Sequence, residues 1–179
     1  DFKRKCYIGA ANWYRKSGQL GEALSCLWLI RDYDGILSLD ISGLDVETIC
    51  KTATGNFALE IVQKTSSAIK EKHIVPMLRL AVVLYGENRR DDYQKLMQEL
   101  RTLIQGVGDL KQRNHLLGEW VLVSSYGDFP CIERMAEKYE EAVRLLTGPS
   151  QAVLPTDPYM FDCPSLIHVF HNRLGEANK

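Results

Sequence analysis

The chain has 179 residues, which is enough for one sizeable hydrophobic core or two small ones. With 45% hydrophobic and 25% charged residues it has the composition of a globular protein and not of a disordered tail. Its 22 basic and 23 acidic residues nearly cancel, so the sequence lacks the strong positive charge with which many proteins attract nucleic acid or anionic lipid.

The cysteines are odd in number and widely spaced, which favours neither a disulfide framework nor a zinc ribbon. They are Cys6, Cys26, Cys50, Cys131 and Cys163. We therefore expect a reducing, cytoplasmic location. The apolar runs, such as 80–85, are far shorter than the roughly 18 residues of a membrane helix, and no signal peptide opens the chain, so we expect no membrane association. The start at Asp1, directly within a helical pattern, suggests a segment of a longer protein.

Apolar residues recur every three or four positions along almost the whole chain, so the sequence predicts an all-α fold. The first predicted helix ends before Gly18 and has two apolar faces. One face contains Tyr7, Ala10, Ala11 and Tyr14, and the other contains Phe2, Cys6, Gly9 and Trp13. Helices with two apolar faces lie inside stacked helical pairs, so we expect both faces to be covered.

Further helices are predicted in chain order, separated by glycines and prolines. They cover residues 20–31, 33–39, 45–53, 56–70, 75–85, about 93–107 and 109–126. Asp109 with Gln112 has the pattern of a capping box, and Gly106-Val107-Gly108 is interpreted as an interhelical turn. The helix at 109–126 again has two apolar faces. One contains Leu110, Leu117, Val121 and Ser124, and the other contains Leu116, Trp120 and Val123.

The last long helix is predicted at about 130–147, with Asp128 as its cap and Gly148-Pro149 as its end. Helical pairs beginning near Val75 and Asp109 are about 34 residues apart, which is the tetratricopeptide period. The sequence thus predicts an α-solenoid of stacked antiparallel helical hairpins with degenerate repeats over residues 1–147.

A different segment follows at 148–179. Four of the six prolines fall between Thr147 and Ser165, which predicts an extended stretch. Because apolar residues lie between these prolines, we expect the stretch to pack on the helices. A short helix is predicted at 165–174.

Motifs for catalysis are missing from the sequence. It has no phosphate-binding glycine loop and no Gly-x-Ser-x-Gly elbow. His168 and His171 could share a helix face near Cys163, but a structural metal site needs about four closed ligands. We therefore expect no catalytic residue, no cofactor, no metal site and no enzyme activity.

A binding site is predicted where the proline-rich stretch crosses the helices around Trp120 and Tyr126. Near turns and prolines, Tyr126, Tyr159 and Phe161 are the aromatic residues for which we expect partial exposure. The full candidate set for binding a ligand or partner is Trp120, Tyr126, Tyr159, Phe161, His168 and His171. The alternative is that the stretch only covers apolar helix surface.

Two groups of motifs resemble a known family. The first contains Ala11-Asn12-Trp13-Tyr14, Gly18, Glu22-Ala23, Leu27 and Asp32-Tyr33-Asp34, and is similar to the helical-repeat region of MalT-like, LuxR-family transcription activators. The second resembles the middle of large LuxR-type regulators of Gram-positive bacteria. It contains Gly118-Glu119-Trp120, Glu133-Arg134-Met135, Gly148-Pro149-Ser150, Asp157-Pro158-Tyr159, Pro164-Ser165, Phe170-His171 and Gly175-Glu176. Residues 159–163, Tyr-Met-Phe-Asp-Cys, depart from the family's Trp-Thr-Phe-Gly-Ser.

The resemblance implies a non-catalytic, effector-sensing or protein-interaction domain of a cytoplasmic bacterial transcription regulator. Its partner would be a small-molecule inducer or a protein, and it could form a homo-oligomer. DNA would be contacted only through a helix-turn-helix domain that this segment lacks. The alternative function is that of a free-standing tetratricopeptide-like adaptor for a protein or peptide.

Overall fold

The computed structural model describes residues 2–39 and 56–153, and these ranges contain nine α-helices, one 3-10 turn and no strand. The helices are α1 (Phe2–Lys16), α2 (Leu20–Leu29), α3 (Tyr33–Leu37), α4 (Phe57–Lys64), α5 (Ser67–Lys72), α6 (Ile74–Gly86), α7 (Arg90–Gln105), α8 (Leu110–Ser124) and α9 (Ile132–Leu145). The 3-10 turn covers Ser125–Asp128. The all-α prediction is confirmed for these ranges, whereas the helices predicted at 45–53 and 165–174 lie outside them.

Several helix ends follow the sequence signals. The Asp109 carboxylate accepts a hydrogen bond from the Gln112 N–H at 2.6 Å, which is the predicted N-cap of α8. Gly18, between α1 and α2, has a φ of 74°, a conformation that glycine adopts without steric cost. Pro76 lies in the first turn of α6, where its missing N–H would have no partner within the helix.

Two predicted boundaries were wrong. The helix expected at 56–70 is broken at Thr65, whose ψ of 128° is extended, so α4 and α5 are separate helices. A β-branched threonine followed by serine favours such a break, because both lose little by leaving the helix. Asp128 belongs to the 3-10 turn, and Cys131 is the N-cap of α9 instead.

Three pairs of consecutive helices pack closely together: α1 with α2, α6 with α7 and α8 with α9. The centre of the core is α6, which also contacts α4 and α8. Its Met77, Leu78 and Leu84 side chains are fully buried. The expectation that the helix at 109–126 is covered on more than one side is confirmed, since α8 contacts α6, α7 and α9.

Buried tyrosines join α6, α7 and the 3-10 turn. The Tyr85 ring lies 5.3 Å from Tyr93 and 5.9 Å from Tyr126, measured between ring centroids. The Tyr93 hydroxyl donates a hydrogen bond to the Val123 carbonyl at 3.0 Å. Burial raises the pKa of Tyr93 far above its ordinary value, so the hydroxyl remains a donor.

Aromatic and polar contacts tie the N-terminal helices to the rest of the described chain. The Trp28 ring lies 4.9 Å from Phe57, and the Tyr33 hydroxyl donates to Glu60 at 3.0 Å. The Asp34 carboxylate accepts from Lys72 at 2.9 Å and contacts His73 Nε2 at 2.7 Å. These contacts join α2 and α3 to α4, α5 and the N-cap of α6.

Gly118 provides a test of this packing, because α8 passes close to the end of α9 there. A Cβ atom at Gly118 would lie 2.9 Å from Leu146 Cγ and 3.0 Å from the Leu146 backbone nitrogen. We expect Gly118→Ala to lower the free energy of unfolding by about 1–3 kcal/mol. Gly9→Ala is the matched control, because its Cβ meets nothing within 4 Å, and it should raise the free energy by about 0.5–1 kcal/mol. Urea denaturation measures both, and equal effects would contradict the close packing.

The Asp34 carboxylate should make the free energy of unfolding depend on pH. Hydrogen bonds from Lys72 and then His73 hold the pKa of Asp34 below its ordinary value. A lowered pKa in the folded state stabilises the fold above the unfolded-state pKa of about 3.9, and this contribution is lost as the pH falls through the folded-state pKa. We expect Asp34→Asn to cost about 0.5–1 kcal/mol at pH 7 and nothing at the lowest pH. Denaturation from pH 7 to pH 2 tests this, with the exposed Glu140→Gln as control; a cost for Asp34→Asn that stays constant with pH would contradict it.

Candidate functional site

Residues 147–153, which we name the strap, leave the end of α9 and lie across α8. The strap is not helical, as expected from its proline and glycine. Ala152 is buried, and the Arg79 side chain on α6 donates to the Gln151 carbonyl at 3.4 Å. These contacts concern residues 147–153 alone, and the rest of the stretch lies outside the described residues, so the packing of the whole stretch on the helices stays a prediction.

Glu119 on α8 holds the strap. Its side chain is 0% exposed, and its carboxylate accepts hydrogen bonds from three strap residues. The donors are the Ser150 hydroxyl at 2.5 Å, the Gln151 N–H at 2.6 Å and the Ala152 N–H at 3.2 Å. A buried carboxylate is stable only where such donors replace water, so Glu119 and the strap depend on each other.

His115, one turn before Glu119, extends this arrangement. The Thr147 N–H donates to His115 Nδ1 at 3.3 Å. Nε2 lies 3.7 Å from Glu119 Oε1. The strap thus contacts two side chains of α8 that are spaced one helical turn apart. Neither was among the site residues predicted from the sequence, although Glu119 interrupts an apolar stretch and belongs to the Gly118-Glu119-Trp120 motif.

Of the predicted site residues Trp120 and Tyr126, the structure leaves the first partly exposed and buries the second. Trp120 is half-buried, its Nε1–H donates to the Met97 carbonyl at 2.8 Å, and the Arg101 guanidinium lies 5.0 Å from its ring. Tyr126 is 8% exposed, so the expectation of partial exposure was wrong for it. Its ring is covered because it packs against Tyr85 in the core.

The other predicted site residues, Tyr159, Phe161, His168 and His171, lie outside the described residues. Within 2–39 and 56–153 no cluster of three or more His, Cys, Asp or Glu side chains is arranged to hold a metal ion. None of the helices in these ranges combines the length and the hydropathy needed to cross a lipid bilayer.

A second candidate site is the outer face of α1, which we define by Phe2, Cys6, Gly9 and Trp13. The sequence predicts that this face is covered, but in the structure it points away from α2. Phe2 is 83% exposed and Trp13 is 60% exposed, whereas Ala11 on the opposite side is buried. The prediction was wrong here because α1 packs against α2 on one side and has no second helix among its main contacts in the described ranges.

Basic residues surround the outer face of α1. The helix contains five basic residues and no acidic one. These are Lys3, Arg4, Lys5, Arg15 and Lys16. Arg4 turns back and donates to the Ile30 carbonyl at 2.8 Å, while the exposed Lys5 and Lys16 lie beside the outer face. A shallow depression of about 380 Å³ lies between Phe2, Cys6 and Ala10.

Comparison with known proteins identifies no relative: no protein-family model, no curated protein and no solved structure matches this chain significantly.

Glu119→Ala should release the strap. It leaves the Gln151 and Ala152 N–H groups without their acceptor, so we expect the free energy of unfolding to fall by about 2–4 kcal/mol. Amide hydrogen exchange of residues 150–152 should accelerate, and chemical denaturation measures the loss. The matched control is the exposed Glu140→Ala, which should change stability by less than about 0.5 kcal/mol. Unchanged exchange in the strap would contradict the role of Glu119.

Proposed function

We propose that this chain is a non-catalytic interaction domain, a stacked array of helical hairpins that binds a protein partner through the outer face of α1. The observation that carries the proposal is the exposure of Phe2 and Trp13 on one face of the same helix. Large side chains exposed singly are ordinary, but an aligned apolar stripe marks an interaction surface. Tryptophan is also enriched among the residues that dominate binding energy at interfaces.

The charge of α1 indicates the chemistry of the partner. An apolar stripe bordered by lysines fits an amphipathic helix whose own stripe is bordered by carboxylates. Lys5 and Lys16 are both exposed and available to such a partner. This role suits either context expected from the sequence, a domain of a larger regulator or a free-standing adaptor.

A second candidate is the effector-sensing domain of a MalT-like, LuxR-family transcription regulator. One observation favours it: Gly118-Glu119-Trp120 and Gly148-Pro149-Ser150, two motifs that carry the resemblance, meet in space. The Ser150 hydroxyl donates to the Glu119 carboxylate. Under this proposal an effector bound near Trp120 changes the position of the strap, and DNA is contacted by another domain.

The coding sequence on either side of this segment tests the regulator. We expect a phosphate-binding loop before it and a helix-turn-helix after it. A flanking sequence with neither motif would contradict the regulator and leave the adaptor.

The interaction domain is tested with a synthetic helix as the probe. A dye-labelled amphipathic peptide, about four turns long, with a leucine stripe bordered by glutamates, should bind the chain with a Kd below about 1 mM and more weakly as salt rises. Trp13→Asp should weaken binding at least about tenfold, because it places a charge in the apolar stripe. Fluorescence anisotropy measures both.

The controls distinguish binding at the outer face of α1 from nonspecific binding of the peptide. Leu110→Asp changes another exposed apolar residue and should leave peptide binding unchanged. A peptide with lysines in place of the glutamates should not bind. Circular dichroism should show equal helix content in all variants, since Trp13 and Leu110 are exposed. Equal binding to wild type and Trp13→Asp, or no binding of the acidic peptide, would contradict the proposal.

A further inference from the structure

The last described helix, α9, also presents an exposed apolar stripe. It consists of the exposed Ile132, Ala136 and Val143 and the partly buried Tyr139. Val143 is 74% exposed and Ile132 is 42% exposed. The other side of α9 carries the buried Met135 and Ala142 and packs on α8 and the 3-10 turn. Both the first and the last of the described helices therefore present an apolar stripe to the outside.

The two stripes match in spacing. On α1 the outer face follows positions i, i+4, i+7 and i+11 from Phe2, and on α9 the stripe follows the same positions from Ile132. Residues spaced alternately by three and four positions form the contact stripe along which two helices pack side by side. One small residue also falls opposite a large one, since Gly9 aligns with Tyr139 when the two stripes run in parallel.

The two stripes differ in the charge that borders them. Lys5 comes one residue before the stripe residue Cys6, whereas Glu133 and Glu140 come one residue after Ile132 and Tyr139. In a parallel pair of helices these two edges lie on the same side, and Lys5 falls opposite Glu140. The pairing of Glu140 with Arg144 at 3.2 Å is no obstacle, because both side chains are largely exposed and such a pair is weak.

We propose that the outer face of α1 in one copy packs in parallel on the α9 stripe of a second copy, so that copies of this chain associate end to end. The proposal rests on the proposed function, because it names the partner of the same α1 face. Charge favours this pairing over the antiparallel like pairs, in which equal edges meet: α1 against α1 would bring the Lys5 edges together, and α9 against α9 would bring the edges of Glu133 and Glu140 together. Because the two paired faces are different, a dimer still has one free α1 face and one free α9 stripe. Association therefore continues into short chains or closes into a ring.

Sedimentation velocity of the 179-residue chain over about 10 μM to 1 mM is the test. A single pair of helices makes a small interface, so the wild type should associate weakly and reversibly in this range. Trp13→Asp removes the α1 face and Val143→Asp removes the α9 stripe, and each variant alone should be monomeric. A mixture of the two should form a dimer and nothing larger, because only one functional face of each kind remains per pair.

Several outcomes would overturn the proposed pairing. A wild type that stays monomeric over the whole range overturns it, and so does a Val143→Asp variant that associates like the wild type, because α1 would then be binding elsewhere. Binding to anionic phosphatidylserine vesicles with no self-association also overturns it. If the acidic peptide binds but the chain stays monomeric, only the second copy is excluded as the partner. If the chain neither binds the peptide nor self-associates, the proposed function fails too.

Charge reversal tests the register without touching the apolar stripe. Lys5→Glu should weaken self-association at least about threefold, and the double variant Lys5→Glu with Glu140→Lys should restore it. Lys111→Glu, at an exposed lysine of α8, is the matched control and should have no effect. A double variant that remains as weak as Lys5→Glu overturns the parallel pairing.

Discussion

The apolar surface of α6 must be covered on several sides at once, and the packing of the central helices depends on this requirement. Arg79 is its only charged side chain, and Met77, Leu78 and Leu84 are fully buried. Burying each of these side chains contributes about 1.5–3 kcal/mol. Because one helix cannot cover all of this surface, α4, α7 and α8 each take a part of it. Hydrogen bonds from Tyr93 and Trp120 then join α7 to α8.

The strap adds a polar interaction to this apolar framework. A carboxylate at 0% exposure would be costly without partners, but Glu119 accepts three hydrogen bonds from residues 150–152. Two of these donors are backbone N–H groups, which themselves need acceptors when buried. The interaction therefore sets the path of the strap more sharply than apolar contact would, since hydrogen bonds are directional and dispersion contacts are not.

The surface of the described chain is less uniform than its net charge of -1 implies. The first helix, α1, is wholly basic in its charged residues, and glutamates border the outer stripe of α9. Each also places on its surface an apolar stripe of the kind that helices elsewhere in the chain bury. Exposed stripes of this kind are favourable only when a partner removes them from water, which is why these two helices carry the functional proposals.

The sequence by itself determined that the described ranges are helical, because hydrophobic periodicity, caps and helix-ending residues act within one or two turns. Asp109 and Gly18 were predicted correctly on this basis. Glu119 was not selected, since its partners are more than 30 residues away along the chain. Likewise the two faces of α1 look equally apolar in the sequence. Only the tertiary structure decided that Ala11 is buried and Trp13 exposed, because coverage depends on where distant helices pack and not on the pattern of one helix.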